Sequence, residues 1–331
     1  MEKQQAIRRM NSLGSARSPF LFIIDFAMRC PVVIPLEQVN PNAILFAIKE
    51  KKNYTSMPSL TEKDIWWETQ PVDFPSYYTA FHKVMHHLRS GNSFLVNLTF
   101  PTSVYTNLSL KEIFYLAEAK YKLWFKDRFV VFSPETFVRM TEGEIAAYPM
   151  KGTIDKSVPD AQEKLLHNTK EMAEHVTIVD LIRNDLSLFA THVNVSKFRY
   201  VEEINTIGKT LLQVSSEIKG QLPARYHEMM GDIIFSMLPA GSVSGAPKPK
   251  TVAIIREAEI YNRGYYTGVF GVFDGNNLDS AVMIRFVEQE GHRLIYKSGG
   301  GITANSDVTS EYQEMIDKVY VPVNRKHPII S

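Results

Sequence analysis

An α+β fold is predicted by three observations. Strand-like runs come as hairpins around Thr141-Glu142-Gly143-Glu144 and Asp274-Gly275-Asn276-Asn277. Helical spacing of apolar residues covers 77–90, 109–120, 160–188, 224–237 and about 308–320. The two kinds of segment do not alternate in the βαβ rhythm of a doubly wound parallel sheet.

In chain order, Phe20 to Phe26 and Ser93 to Thr99 are short, apolar and β-favouring, bounded by polar residues or glycine, as buried strands are. Residues 129–149 alternate between strand-like runs and the Thr141–Glu144 turn. The longest helical signal starts at Asp160, after Pro159 and with Glu163 three residues on, a capping-box-like opening. Leu165, Leu166, Met172, Val176, Val179, Ile182 and Leu186 then recur at helical intervals. After Gly264 the chain returns to strands up to Ser298-Gly299-Gly300-Gly301, and a final helix follows.

Bulk properties narrow the function. The 331 residues are 44% apolar and 22% charged, with a formal net charge of +1, so no global field favours nucleic acid or an anionic membrane. Cys30 is the single cysteine, which rules out an intrachain disulfide framework and fits a reducing compartment. The run Phe20–Ile24 is too short for a signal core and ends at Asp25; no stretch approaches the ~20 apolar residues of a spanning helix. A cytoplasmic protein is expected.

Several residues have chemical potential. Glu171 and Glu174 lie at i and i+3 on one predicted helix, and Glu311 and Glu314 repeat that spacing on another. The two pairs either converge on a hard cation such as Mg2+, or form solvated faces in which Lys170 pairs with Glu174 and Lys318 with Glu314. Asp180 to Asp185 (DLIRND) is either the solvent face of its helix or a buried polar network. The loop from Pro239 to Lys248 offers backbone N–H groups, Ser242, Ser244 and Lys248 to an anion, or is a structural turn. The triple glycine 299–301 allows a close backbone approach to a carboxylate. Strict alternation through Ala281-Val282-Met283-Ile284-Arg285-Phe286-Val287 puts Arg285 on the face of Ala281, Met283 and Val287. Such an arginine meets a ligand carboxylate, a protein carboxylate, or water at an edge. Lys151, in Pro149-Met150-Lys151-Gly152-Thr153, is a surface charge unless it is buried near other cations; its pKa then falls and the neutral amine becomes a nucleophile. His82, His86 and His87 lack further ligands and are read as helix-surface residues.

The order of these segments is more specific than any one of them. SPET (133–136), PMKGT (149–153), KEMAEHVTIVDLIRNDL (170–186), PAGSVSGAPK (239–248), RGYYTG (263–268), IRF (284–286), GGGI (299–302) and EYQEM (311–315) together resemble the chorismate-utilising enzymes. That family includes component I of anthranilate and aminodeoxychorismate synthases and the isochorismate and salicylate synthases. The resemblance implies one domain over 1–331, with a shortened N-terminal region (1–90), a family core (91–322), and two packed antiparallel sheets flanked by helices. It further implies Mg2+ held by Glu174 and Glu314, with Glu171 and Glu311 on the metal's waters. Tyr266, Arg285, Ser242, Lys248 and the backbone of Gly299, Gly300 and Gly301 would hold chorismate, with Thr153 beside the ring and Glu135 as general acid.

Within the family, lysine in the position of Lys151 is typical of the aminodeoxychorismate synthases and alanine of the anthranilate synthases. Leu95 stands where the isochorismate and salicylate synthases need a lysine base. The resemblance therefore implies amination of chorismate at C4 through a covalent Lys151 intermediate, for 4-aminobenzoate and folate synthesis. Ammonia would come from a separate glutamine amidotransferase or from solution. The shortened N-terminal region implies no tryptophan feedback site. Ala240 and Gln213 depart from the usual glycine and histidine.

Overall fold

The computed structural model describes residues 1–55, 65–206, 209–322 and 329–330. Among them, one sheet runs in the order Met150–Asp155, Lys209–Gln221, Glu144–Ala147, Thr136–Thr141, Leu278–Val282, Val269–Phe273, Phe20–Ile24, Val32–Pro35. Thr191–Thr206 also pairs with Lys209–Gln221. A second sheet runs Ile329–Ile330, Ile65–Gln70, Leu95–Thr106, Arg293–Ile302, Phe286–Glu290, Phe129–Ser133, Tyr121–Phe125, Ile44–Ile48, Lys51–Lys52, with Gly245–Ala246 on Leu95–Thr106. The ladders are antiparallel, apart from the short pairing of Ile329–Ile330 with Ile65–Trp66.

Burial explains why these sequences form strands. Phe20–Ile24 has no polar side chain and is covered on both faces. Leu21 and Ile23 point into a layer between the sheets, where Phe270, Val272 and Ala281 meet Phe46, Leu123, Phe129 and Phe286. Phe20, Phe22 and Ile24 point the other way, against Met10 of the helix Lys3–Ser15 and Ile233 and Ile234 of the helix Met230–Ser236. Phe286 and Phe129 stack with ring centroids 5.0 Å apart at the centre of the inter-sheet layer. The outer face of the second sheet is covered by Leu110–Leu116 and, further along, by Phe74–Arg89 and Lys248–Ala258.

The predicted helices form with shifted ends. Asp73 caps Phe74–Arg89, and Ser109 and Glu112 make a capping box on Leu110–Leu116. The 160–188 segment is not one helix. It divides into Ala161–His167 and Thr169–Leu186 at Asn168, whose side chain accepts from Glu171 N–H and caps the second part. Asp160 makes no cap; its φ is 55° and its side chain leaves the helix N–H groups alone. Several elements were not foreseen, among them the helices Lys3–Ser15 and Lys248–Ala258, the strands Ile44–Ile48, Ile65–Gln70 and Tyr121–Phe125, and the paired strands Thr191–Thr206 and Lys209–Gln221. The histidine reading holds: His82 and His86 are exposed, and His87 meets Glu257 at 3.1 Å. Among the described residues no helix is long and apolar enough to cross a membrane.

Truncating Phe286 to alanine should cost about 3–5 kcal/mol, because it empties the centre of the inter-sheet layer. Urea unfolding followed by circular dichroism measures this, and a loss below about 1 kcal/mol would show that the two sheets are not held there.

Candidate active site

The chain passes between the sheets at two segments that touch each other. Residues 134–135 lead from Phe129–Ser133 in the second sheet to Thr136–Thr141 in the first, and 283–285 lead back from Leu278–Val282 to Phe286–Glu290. Val282 N–H donates to Glu135 O (3.2 Å) and Phe132 N–H donates to Arg285 O (3.1 Å). Glu135 and Arg285 are thus fixed on paired crossings. The alternation expected through 281–287 fails here. Arg285 has φ 54°, the strand breaks around it, and Phe286 rather than Val287 shares the inter-sheet layer with Ala281 and Met283. The freed guanidinium donates to Lys318 O (3.0 Å), lies 4.8 Å from the Tyr320 ring centroid, and lines a cleft.

Lys151 reaches the same cleft by a bulge. Met150 is opposite Ser215 and Thr153 opposite Gln213, so three steps on one strand face two on the other. Gly152 takes the left-handed conformation this needs (φ +80°), and a Cβ there would lie 2.3 Å from Glu171 Oε2. Lys151 Nζ is turned onto the buried carboxylate of Glu174.

Of four carboxylates on two helices, three approach the glycine run and Glu171 lies against Gly152. Glu171 and Glu174 come from Thr169–Leu186, and Glu311 and Glu314 from Val308–Asp317. Glycines 299–301 are part of the strand Arg293–Ile302, not an open loop. A Cβ on Gly300 would lie 3.4 Å from both Glu311 Oε2 and Glu314 Oε1, and one on Gly301 3.3 Å from Glu174 Oε2. The missing side chains thus give room to protein carboxylates. Lys318 Nζ bonds Glu314 Oε1 (2.6 Å) and Gly299 O (2.8 Å), the pair expected of a solvated face, but it lines the cleft. The Lys170 side chain lies outside the described ones.

The electrostatics follow from this crowding. Burial raises the Glu135 carboxyl above the ordinary glutamate value, against the pull of its Ser242 hydrogen bond and of Lys151 and Lys318. A raised carboxyl pKa favours the acid form that a general acid requires. Lys151 behaves opposite to expectation. Burial lowers its pKa, but Glu174, then Glu314 and Glu171, outweigh burial and hold it above the usual lysine value. The sequence reading assumed cationic neighbours; its nearest neighbours are anionic. Burial lowers Lys318, with Glu314 opposing and Lys151 and Arg285 assisting.

The cleft, about 600 Å³, is lined by Glu135, Lys151, Thr153, Glu171, Glu174, Ser242, Tyr266, Arg285, Gly299, Gly300, Gly301 and Glu314 among the sequence-predicted residues. Glu311 is buried beside Gly300, just behind that lining. Lys248 stands apart: its Nζ bonds Asp185 Oδ2 (2.5 Å) and Met237 O (2.7 Å), outside the cleft lining. DLIRND divides accordingly, with Asp180 and Arg183 paired in solvent and Asp185 turned inward to Lys248. Lys318 and His175 were missed. His175 is buried, with Nε2 2.6 Å from Ser216 Oγ, and its one sequence signal was its place next to Glu174.

For a divalent cation the donor set is suitable, all carboxylate oxygen around a strand without side chains. Among the described residues no three carboxylates or imidazoles form a closed cage, since Glu174 and Glu314 each face a lysine.

The architecture and this cleft define a class, the chorismate-binding enzymes. The pattern of that family matches residues 36–324, and the chain belongs to it. It is similar to a PabA-like protein of Haemophilus influenzae, 48% identical over 320 residues, 97% of each chain. It is also similar to aminodeoxychorismate synthase component 1 of Escherichia coli, 31% identical over 286 residues, 82% of this chain and 61% of that one. An anthranilate synthase component I structure from Streptococcus pneumoniae superposes with a TM-score of 0.66 at 26% identity, covering 80% of this chain and 62% of the other. The fold is shared with an isochorismate synthase of Bacillus anthracis, at a TM-score of 0.69, 18% identity and 94% and 87% coverage.

Burial, followed by Arg199 and Lys151, depresses His175 from 6.5 to about 4. The unfolded chain then binds a proton that the folded one refuses, so stability is lost as pH falls from about 6.5 to about 4, by at most about 3 kcal/mol. Urea midpoints at pH 7 and 4.5 should differ less in His175→Gln than in the native chain; an equal acid-side loss would mean His175 titrates normally.

Proposed function

We propose that the chain is an aminodeoxychorismate synthase component I, which aminates chorismate at C4. The observation that carries this reading is that Lys151, Glu135 and Arg285 line one cleft together with the carboxylates Glu171, Glu174 and Glu314. Chorismate is a small dianion, and the cleft volume suits it. Arg285 and the backbone of 299–301 would hold its carboxylates, with Tyr266 and Thr153 at the ring. Mg2+ would sit between Glu174 and Glu314, braced by Glu171 and Glu311, and would supply positive charge for the ring carboxylate.

The amine of Lys151, once deprotonated, adds at C2. Both ring double bonds shift, the C4–O bond breaks, and Glu135 gives its proton to the departing hydroxyl, forming water. Ammonia then adds at C4, the bond from Lys151 to C2 breaks with its electron pair returning to nitrogen, and Glu135 recovers a proton from the new C4 ammonium. The net change is chorismate and ammonia to 4-amino-4-deoxychorismate and water. The PabA-like name of a relative supports a glutamine amidotransferase as ammonia donor; the reading also places the reaction in the cytoplasm, with the product leading to 4-aminobenzoate and folate.

A second reading draws on the raised pKa of Lys151: the lysine stays a cation that neutralises Glu174 and chorismate, and ammonia attacks directly, as in anthranilate synthesis. Incubation with chorismate, Mg2+ and ammonium should yield aminodeoxychorismate by chromatography; anthranilate or isochorismate as the product would sink the first reading.

Lys151→Ala should slow amination strongly while leaving chorismate affinity within a few-fold, and Glu135→Gln should lower kcat by about 10²–10⁴. Mass spectrometry of the quenched native enzyme should find the chorismate-derived adduct on Lys151, and full turnover by Lys151→Ala would remove the lysine from the chemistry.

A further inference from the structure

Residues 259–268 join the helix Lys248–Ala258 to the strand Val269–Phe273 without belonging to either, and they carry Tyr266 to the cleft. A side chain on such a segment is held only as well as the bonds that anchor the segment. Two buried cations supply anchors. Arg263 pairs with Glu259 and donates to Asn97 O (2.6 Å) and Val243 O (2.8 Å), both of residues in the cleft wall. Lys297 stands on the strand Arg293–Ile302, two residues before Gly299, with a side chain 1% exposed. Its ammonium donates to Asn262 O (3.3 Å), Arg263 O (3.2 Å) and the Glu288 carboxylate, three acceptors for its three protons. Arg263 O also accepts the Tyr266 N–H (3.1 Å), so Tyr266 and Lys297 share one backbone carbonyl. The ammonium lies 5.8 Å from the centroid of the Phe286 ring, which is itself 5.8 Å from that of Tyr266. Lys297 thus reaches Tyr266 by two routes, a shared carbonyl and a ring beside both groups.

Stability alone does not account for a lysine here. A buried ammonium gives up its hydration, and a methionine of similar length would fill the space without that loss. The groups left behind would keep partners: the Glu288 side chain is 21% exposed, Asn262 is exposed, and Arg263 O retains the Tyr266 N–H.

We propose that Lys297 is a positioning residue, which fixes Tyr266 so that its phenol meets bound chorismate in one place. The inference rests on the reading of the cleft as a chorismate site, not on the reaction that follows. A tyrosine free to shift divides the protein between competent and incompetent arrangements, and the affinity falls by the competent fraction. The effect belongs to binding rather than to chemistry, because the bonds of Lys297 run to residues 262, 263 and 288 and not to Lys151 or Glu135.

A double-mutant cycle with Tyr266→Phe tests this, with chorismate affinity read by calorimetry in the presence of Mg2+ and without ammonium. Lys297→Met should raise the Kd for chorismate about tenfold, with kcat in ammonium within about twofold and the urea midpoint no lower than in the native protein. In the Tyr266→Phe background the same change should raise the Kd by less than about twofold, because the hydroxyl it positions is gone. An unchanged Kd in folded Lys297→Met, or an equal rise in both backgrounds, overturns the assignment. If Lys297→Met does not fold, Glu288→Ala decides. It removes one of the three acceptors that hold the ammonium and should raise the Kd about threefold or more in the native background and less in Tyr266→Phe; no rise overturns the assignment. Native protein that binds no chorismate fails the reading of the cleft, and the role of Lys297 falls with it. A product other than aminodeoxychorismate fails the proposed reaction alone, since the affinities are measured without amination.

Discussion

The arrangement depends on the mutual hydrogen bonding of the two segments that cross between the sheets. Two twisted antiparallel sheets packed face to face have few places where the chain can pass from one to the other, and here two passages lie side by side. Each accepts a backbone N–H from the strand that leads into the other, Glu135 from Val282 and Arg285 from Phe132. Neither segment can then continue a regular ladder, so its side chains are released from the alternation that governs a strand. An acid and an arginine emerge at fixed separation from the same seam, supported from below by the stacked pair Phe129 and Phe286. The precision of the site comes from sheet rather than loop.

Around that seam, two of the clustered carboxylates are matched by lysines. Burying carboxylates beside one another is costly unless cations accompany them. Lys151 on Glu174 and Lys318 on Glu314 do this, and the absence of side chains at Gly300 and Gly301 lets the carboxylates come close enough to share them. The site is consequently a set of carboxylates interleaved with the cations Lys151, Lys318 and Arg285. Ligand carboxylates and a divalent cation would exchange with existing partners rather than enter a bare field, which moderates the net change in charge on binding.

Much of the fold was legible in the sequence, because its hairpins and amphipathic helices carry strong periodic signals. The turn at Glu142-Gly143 and the helices Phe74–Arg89 and Val308–Asp317 are examples. What escaped did so for identifiable reasons. Arg285 was misplaced because alternation assumes one sheet, and a change of sheet at 283–285 reverses which residues face inward. Asn168 divides a helix without interrupting its apolar rhythm, since capping leaves no mark on periodicity. The strand Thr191–Thr206 mixes polar and apolar residues and is largely open on its surface, so it lacks the apolar run that betrays a buried strand. Of the site, the ordered motifs located the cleft residues as a group. Spacing alone could not tell a solvated Lys318–Glu314 pair from one facing a cleft, nor foresee that Lys151 would be surrounded by anions.

The bulge at Lys151 and Gly152 has a further consequence. A residue inserted into a strand as an extra owes nothing to the ladder: no cross-strand partner depends on its side chain, and the glycine beside it absorbs the backbone turn. That position can accept another side chain with little damage to the sheet, whereas a neighbour in register cannot. A scaffold built this way keeps its sheet when this side chain is exchanged, and the constraint on the exchange comes from the buried Glu174 carboxylate that Lys151 meets rather than from the ladder.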